Sequence, residues 1–383
     1  MKKVCHLISC LLKGDGPSNC ILTQIAPRDG SEFQYSVWSL YQPPIHRNPQ
    51  ALLAGVGADY KVFKMSRSFL DLRVLFPLVQ QLRAHRPTIL HCHLVRANLY
   101  GRVAAKMAGI PVVVNTLHNI EEYMQGGGII FGSVRRFEQM TARWVSKYVA
   151  VSEAVRQEAI NCLHLPPDKI ATILNAIDLV PYRCGSIDRS AVRAELGIQA
   201  EDVVVGSVGR LHRQKNYPFL IRMAKTIGAK LRNVRFVIIG DGEDRQSLER
   251  MIAHFGLQDS ILLPGYRPDI PRVLGGFDIF VLPSSYEGLS IALMEAMAAG
   301  LPSIVTDVGG NAEAVVHAET GFVLLPGDEE GFTSSLETLL RNPDLRQSMG
   351  RAARERVVKL FDAERLTQEY VGLYQRLLEQ SRR

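Results

Sequence analysis

Glu287 and Glu295 are two carboxylates eight residues apart in the stretch from Pro283 to Gly310, PSSYEGLSIALMEAMAAGLPSIVTDVGG. From Ser290 to Ala299 the residues are good helix formers, and Gly300 with Pro302 behind it is a stop signal. Glu287 therefore precedes a short helix and Glu295 lies inside it. Every other residue from Ile291 to Ala299 is apolar, so the helix is expected to be enclosed on all sides and Glu295 to be a nearly buried charge. A buried carboxylate needs hydrogen-bond donors, from the protein or from a ligand such as a sugar diol. The first turn, Gly288, Leu289 and Ser290, offers backbone N–H groups and the positive end of the helix dipole, which suit a phosphate. One segment can thus hold a sugar, a diphosphate and a ribose in sequence. For isolated acids, the plainer alternative is a Glu295 bonded to a loop and an exposed Glu287.

With the preceding strand FDIFVLPSSYEG, Phe277 to Gly288, and the following AAGLPSIVTDVGG, the segment closely resembles the Glu-x7-Glu signature of retaining glycosyltransferases of the GT-B fold, family 4, also called glycosyl transferases group 1. The resemblance spans nearly the whole chain and is strongest from Val203 to Gly310. It implies an α/β protein of two Rossmann-like domains facing across a cleft. Residues 1–180 would be the acceptor-binding domain and 181–361 the nucleotide-sugar-binding domain, with 362–383 a C-terminal helix packing back on the first.

The positioning elements are legible in both halves. The first half alternates short apolar strands with helical stretches, as in a parallel sheet covered on both faces. Strands are expected near Lys3–Ser9, Tyr35–Leu40, Lys61–Met65, Thr88–His93, Val112–Leu117 and Tyr148–Ser152. After the first comes Lys13-Gly14-Asp15-Gly16-Pro17-Ser18, a glycine loop without the full GxGxxG fingerprint, equally readable as an ordinary turn. By resemblance it lies opposite the donor phosphates, with Gly16 as a contact. The strand VVVNTL ends in His118, at the edge where ligands of open parallel sheets gather. A histidine there can donate to a sugar hydroxyl, support developing charge, or merely cap. By resemblance His118 is the family's functional histidine, and His93 ends the preceding strand in a similar position.

From Tyr123 to Phe131 the chain reads YMQGGGIIF, expected to be a flexible acceptor loop. The helix expected after it, Ser133–Lys147, interleaves Val134, Phe137 and Trp144 with Arg135, Arg136, Arg143 and Lys147, an amphipathic pattern found more often on core-facing helices than on membrane anchors. Ile173-Leu174-Asn175-Ala176-Ile177-Asp178 resembles the family's linker, with Ala176 in place of the usual glycine.

In the second half, the strand VVVGSVGRL leads into His212-Arg213-Gln214-Lys215-Asn216. Arginine and lysine at a strand end can clamp a diphosphate, and Arg210 and Lys215 match the family's diphosphate-binding pair. The Gly240-Asp241-Gly242 turn matches the family's Gly-x-Gly, and Gly265, Tyr266 and Arg267 are expected to line the base pocket through backbone atoms. The last helix, Asp362–Glu379, carries Leu366, Tyr370, Leu373 and Leu377 on one face.

At 383 residues, 46% hydrophobic and 22% charged, the chain has material for two globular domains, and no apolar run reaches the eighteen or more residues of a membrane span. The start, MKKVCHLISCLL, has the flavour of a leader, but its apolar run is short and broken by His6; it is read as a strand. The six cysteines are scattered without zinc spacing, which suits a reduced cytoplasmic setting. Cys92 stands between His91 and His93, but neighbours on a strand point to opposite faces, so no metal site is expected there. The net charge of +7 is uneven: residues 1–180 hold 20 Lys and Arg against 12 Asp and Glu. That excess suggests an anionic partner such as the inner face of a membrane, a solvated basic face being the alternative.

The expected activity is therefore retaining transfer of a sugar from a UDP- or GDP-sugar to a glycan or lipid-linked acceptor in cell-surface polysaccharide or glycolipid biosynthesis. Arg210, Lys215, Glu287 and His118 carry the chemistry, without metal, cofactor or nucleic acid. The resemblance implies the family's same-face mechanism, and with no obvious nucleophile to face the sugar it fits better than double displacement. The rivals are a nucleotide-sugar epimerase or phosphorylase on the same fold and a nicotinamide-dependent oxidoreductase, the last disfavoured because neither glycine loop has the dinucleotide fingerprint.

Overall fold

The computed structural model describes the chain except residues 13, 27–31, 45–52, 54, 67–70, 125–126, 184–187 and 383. Lys13, Gln125, Gly126 and Cys184, which entered the expectations above, lie outside the described residues. The chain forms two units, Met1–Asn175 with Ala363–Arg383, and Ala176–Asp362.

Unit one is built on strands β1 (Lys2–Ile8), β2 (Phe33–Ser39), β3 (Asp59–Val62), β4 (Ile89–His93), β5 (Val112–Leu117), β6 (Lys147–Ala150) and β7 (Ile170–Thr172). All pair in parallel, in the order β3-β2-β1-β4-β5-β6-β7. Unit two repeats the plan with β8 (Val203–Val208), β9 (Val234–Ile239), β10 (Ile261–Gly265), β11 (Ile279–Leu282), β12 (Ser303–Thr306) and β13 (Gly321–Leu324), ordered β10-β9-β8-β11-β12-β13. Both sheets are doubly wound. The chain reverses its direction of travel between β1 and β4 and between β8 and β11, and ligands of such sheets bind at that switch point, beyond the carboxyl ends of the strands.

Alternation sorts the side chains of unit one. Cys5, Leu7, Leu90 and Cys92 pack on one face beneath helix α1, here Val95–Ala108. That helix lies close because a Cβ at Gly101 would meet the Cys92 sulfur at 2.3 Å. The opposite face carries His6, His91 and His93, and the C-terminal helix Ala363–Gln380 reaches it through Tyr374. In unit two, one core gathers Phe219, Phe236, Ile279, Val281 and Phe332, with Phe219 and Phe332 edge to face at 5.0 Å.

Three local expectations need correction. The glycine-rich stretch is largely helical: helix α2 begins at Gly127 and runs to Thr141. Each glycine costs a helix about 1 kcal/mol, a cost that fifteen residues absorb. The expected helix to Lys147 stops at Thr141, and Lys147 opens β6, its ammonium bonding the Asp168 carbonyl at 2.7 Å. Strand β7, three residues long, is absent from the expected strands because so short a run carries no periodicity.

A buried ion pair absent from the sequence reading ties unit one together. Arg102 of α1 meets Glu138 of α2 at 2.5 Å with both side chains sealed from solvent. Arg102 also bonds the Asn98 carbonyl, Thr141 and Tyr148, and Tyr148 donates to Glu138. Removing one partner leaves an uncompensated buried charge, so Glu138→Ala is expected to destabilise the protein by about 3–5 kcal/mol. Denaturant unfolding checks it, and a loss below about 1 kcal/mol would show that the pair is dispensable.

Candidate active site

At the switch point of unit two, the loops after β8 and β11 meet. The β8 loop turns through a single 3-10 turn, Arg213–Lys215, into helix α3, Tyr217–Gly228, which Pro218 opens. Ser285 of the β11 loop donates its N–H to the Gln214 carbonyl at 2.7 Å, clipping the two loops together. Between them lies Glu287, buried, with Lys215 Nζ at 2.5 Å, the Ser284 hydroxyl at 2.6 Å and the Gln214 amide at 3.4 Å. The same amide donates to the Tyr286 carbonyl at 3.0 Å. Gln214 and Ser284 were missed by sequence reasoning, and no local signal marks a contact spanning 73 residues.

The glycines that follow have a steric reason. A Cβ on Gly309, at φ +51°, would lie 2.1 Å from the Glu287 carbonyl oxygen, and Gly310 donates to the Gly288 carbonyl at 2.5 Å. The VGG turn therefore packs directly on the backbone that presents Glu287. On the other side of β8, Gly240 (φ +142°) approaches the Gly209 carbonyl so closely that a Cβ would meet it at 1.8 Å, and its N–H bonds the Gly265 carbonyl. Glycine thus lets the ends of β8, β9 and β10 close into one backbone-lined edge.

Arg210 takes a different partner from Lys215. Its guanidinium forks onto Glu243 at 3.1 and 3.2 Å, and both side chains are about half or more exposed. Such surface pairs are worth little, so a phosphate can displace Glu243. Arg267 is locked between Glu195 and Asp269, the latter at 2.7 Å, which commits its side chain to structure. Tyr266 beside it is 39% exposed.

The helix α4, Ile291–Ala298, starts as expected, with the Ser290 hydroxyl accepting from Leu293 N–H and Leu289 buried behind it. It is not enclosed on all sides. Ile291, Ala292, Glu295 and Ala299 form a half-buried stripe, so Glu295 sits on the one face left partly open. Among the described residues no hydrogen bond reaches its carboxylate, and burial pushes its pKa up to about 7. Tyr182 lies near enough for the Glu295 charge to add to the upward shift that burial imposes on the phenol.

In unit one, Gly16 is the first residue of the helix Gly16–Ile25, beyond the end of β1. The loop before it is closed by Leu12 N–H donating to the Ser18 hydroxyl at 2.9 Å. His118 follows β5 and is buried, and burial lowers its pKa to about 4. Burial thus favours the neutral imidazole over the charged one. His118 Nε2 lies 3.3 Å from His93 Nδ1, and His93 Nε2 lies 3.0 Å from His6 Nδ1. The expectation about Cys92 holds only for its sulfur: alternation sends Cys92 to one face and both flanking histidines to the other, where His6 joins them. His6, His91 and His93 each bring a ring nitrogen within 4.8 Å of the others. Both nitrogens of His91 and of His93 are already engaged, His91 with Tyr374 at 2.6 Å and Thr116 at 2.7 Å, and His93 with two other imidazoles.

Residues 188–356 match the family described as glycosyl transferases group 1, and residues 25–180 match glycosyltransferase family 4. The chain is 30% identical to the UDP-Gal:alpha-D-GlcNAc-diphosphoundecaprenol alpha-1,3-galactosyltransferase of Escherichia coli, covering 79% of each protein. It is 25% identical to the capsular polysaccharide biosynthesis glycosyltransferase CapM of Staphylococcus aureus, over 82% of this chain and 83% of that one. Among solved structures, Anabaena HepE in complex with UDP and glucose superposes with a TM-score of 0.85 at 22% identity, over 98% of this chain and all of that one.

Proposed function

This chain belongs to the GT-B glycosyltransferases of family 4, the glycosyl transferases group 1, and from that premise we propose that it moves a sugar from a UDP-sugar to a lipid-linked diphosphate glycan with retention of configuration. The observation that carries the reading is the Lys215–Glu287 pair at the switch point of unit two, a cation and a carboxylate held by two loops at the edge of one sheet. The UDP-galactose donor and the diphosphoundecaprenol acceptor in the name of the Escherichia coli relative support this choice of substrates. The UDP and glucose bound by HepE support the same donor class. The epimerase, phosphorylase and oxidoreductase readings are not favoured.

Lys215, joined by Arg210 when it leaves Glu243, compensates the charge that grows on the departing diphosphate, and such groups act most strongly where they are already in place. Glu287 accepts from hydroxyls of the transferred sugar, and the turn Gly288-Leu289-Ser290 meets a phosphate. Gly265, Tyr266 and Arg267 border the base. Glu295, on the open stripe of its helix, accepts from the ribose diol. In unit one, which receives the acceptor, Gly16 faces phosphate and His118 donates to a sugar hydroxyl. The test is incubation with UDP-galactose, UDP-glucose and GDP-mannose and a polyprenyl-diphosphate N-acetylglucosamine acceptor, with the anomer read by NMR. An α-linked product from a UDP-sugar is expected. A β-linked product, or transfer from GDP-mannose alone, would overturn the mechanism or the donor.

Glu295 makes nucleotide binding depend on pH. An ionised carboxylate accepts from both ribose hydroxyls, and this one ionises near pH 7 rather than in the ordinary glutamate range. UDP affinity is expected to rise between pH 6 and 8 by a component that Glu295→Gln abolishes, and Glu295→Ala should weaken binding throughout. Calorimetric titration decides it, since identical pH profiles in wild type and Glu295→Gln would remove the residue from the nucleotide site. The stability sign is opposite: the raised pKa favours the folded state most below the unfolded glutamate value, and that contribution fades as pH rises through 7.

The basic first half supplies the membrane contact that a lipid-linked acceptor requires. Helix α2 presents exposed Arg136, Phe137 and Met140, and exposed Arg143 follows, its guanidinium 5.8 Å from the Trp144 ring. Lys147, committed to Asp168, drops out of the patch. No helix among the described residues is long and apolar enough to cross a membrane. With about 1 kcal/mol for each basic residue near an anionic surface, binding should be reversible and screened by salt. Cosedimentation with anionic vesicles at low salt is expected, and to be lost in Arg136→Glu/Arg143→Glu. Equal binding to neutral vesicles would point to another mode of docking.

A further inference from the structure

The sheet of unit one carries a chain of three imidazoles, only the outermost of which has a part in the reaction above. His6 on β1 and His93 on β4 are sealed from solvent, and His118 beyond β5 is nearly so. The three share one face because His93 is registered with Ile8 on β1 and with Thr116 on β5, each two residues from the next histidine along its strand. The rings follow one another at centroid distances of 5.3 and 5.5 Å. At the inner end, His6 Nε2 has no hydrogen-bond partner among the described residues.

A neutral imidazole has one N–H and one lone pair, so the two bonds of this chain must point the same way, and only two arrangements exist. In the first, His118 Nε2–H donates inward, His93 Nε2–H donates to His6, and the last proton is a buried N–H on His6 Nε2 without an acceptor. In the second, His6 Nδ1–H donates to His93 Nε2, His93 Nδ1–H donates to His118 Nε2, and the last proton lies on His118 Nδ1. Orphaned buried N–H groups are rarer than under-satisfied acceptors, which selects the second. A further proton would place an unpaired cation in a dry interior, in line with the strong depression of the pKa of all three rings by burial. His91 does not branch the chain, because both its nitrogens are taken by the hydroxyls of Tyr374 and Thr116. The tyrosines packed around the face, Tyr370 and Tyr374, are kept neutral by the same burial.

We propose that His93 and His6 are positioning residues for His118: their hydrogen-bonded chain fixes its ring and keeps the proton of the neutral imidazole on Nδ1, so that His118 enters the transfer reaction as a donor through that atom. The inference rests on the reading of His118 as a group that meets the sugar. Atoms and charges balance without any further reactant, since the chain holds three protons in either arrangement.

The test is nitrogen-15 NMR of the full chain labelled in its histidine rings, with the His118 signals assigned by their loss in His118→Gln. At pH 7 the wild-type spectrum is expected to show His118 as the neutral Nδ1–H form. His93→Leu should abolish that preference and lower kcat roughly tenfold, a fraction of the 10²–10⁴-fold that a positioned proton donor supplies, with the donor KM little changed. His93→Gln, whose amide can still donate to His118 Nε2, should restore both the spectrum and most of the rate. An Nε2–H His118 in the wild type, or a His118 spectrum indifferent to His93→Leu, overturns the inference, and the first of these needs no variant to fold. Stoichiometric uptake of zinc that shifts His6 and His93 together would also overturn it, by making the cluster a metal site. Wild-type transfer by His118→Gln would instead overturn the functional reading beneath it, a failure separable because the wild-type spectrum is read without any assay of activity.

Discussion

Lys215→Ala is expected to slow sugar transfer by roughly 10²–10³-fold, the range found when one preorganised partner of developing charge is removed. The ammonium belongs to the loop after β8, which also carries Arg210 and Arg213, and it is directed inward, 2.5 Å from buried Glu287. Its loss has two consequences. The leaving diphosphate gains negative charge in the transition state without its counter-ion, and Glu287 keeps only the Ser284 hydroxyl and the Gln214 amide. Ground-state UDP binding should fall much less than the rate, because the proposed contacts of the Gly288 turn with phosphate and of Glu295 with ribose remain. Single-turnover transfer beside UDP titration separates the two. A variant with near-normal single-turnover rates would remove Lys215 from the reaction. Arg210→Ala should cost less, because its guanidinium is exposed and must first exchange Glu243 for phosphate.

Glu287→Ala should have an effect of comparable size, with transfer falling by roughly two orders of magnitude or more while affinity for bare UDP changes little or improves. In the proposed function the carboxylate accepts from the sugar, which UDP lacks, and its removal frees Lys215 for the diphosphate. Glu287→Gln should recover part of the rate, since the amide oxygen still accepts, and a melting comparison guards against loss of fold. Equal losses in transfer and in UDP affinity would place Glu287 at the nucleotide instead of the sugar.

What could be read from the chain alone was whatever depends on neighbours in sequence. The helix from Ile291 to Ala298 and its stop at Gly300 follow from local propensity and backbone freedom, and the alternation of strands and helices in the first half announced a parallel sheet covered on both faces. Candidate residues at strand ends, His118 and Arg210, were legible because parallel sheets place the ends of their strands along one edge, and Glu287 through its spacing to Glu295. The pattern failed where local signals were weak or misleading. Gly127 and Gly128 speak for a loop yet lie in a fifteen-residue helix, and Ile170–Thr172 is too short for its period to register.

Tertiary structure alone decided which groups share a partner. Lys215 and Glu287, 72 residues apart, meet because β8 and β11 are neighbours at the point where the sheet reverses, and the same rule brings His6, 87 residues from His93, into one hydrogen-bonded chain. It separated Arg210 from Lys215 by giving each its own carboxylate, and it buried Arg102 against Glu138 where composition shows only two more charges. The open stripe that leaves Glu295 accessible was likewise invisible, because an apolar helix reads the same from every side until its neighbours are in place. The physical reason is common to these cases: propensity and periodicity act over a few residues, whereas ion pairing, desolvation and proton placement depend on distances of a few ångströms that only strand order and packing determine.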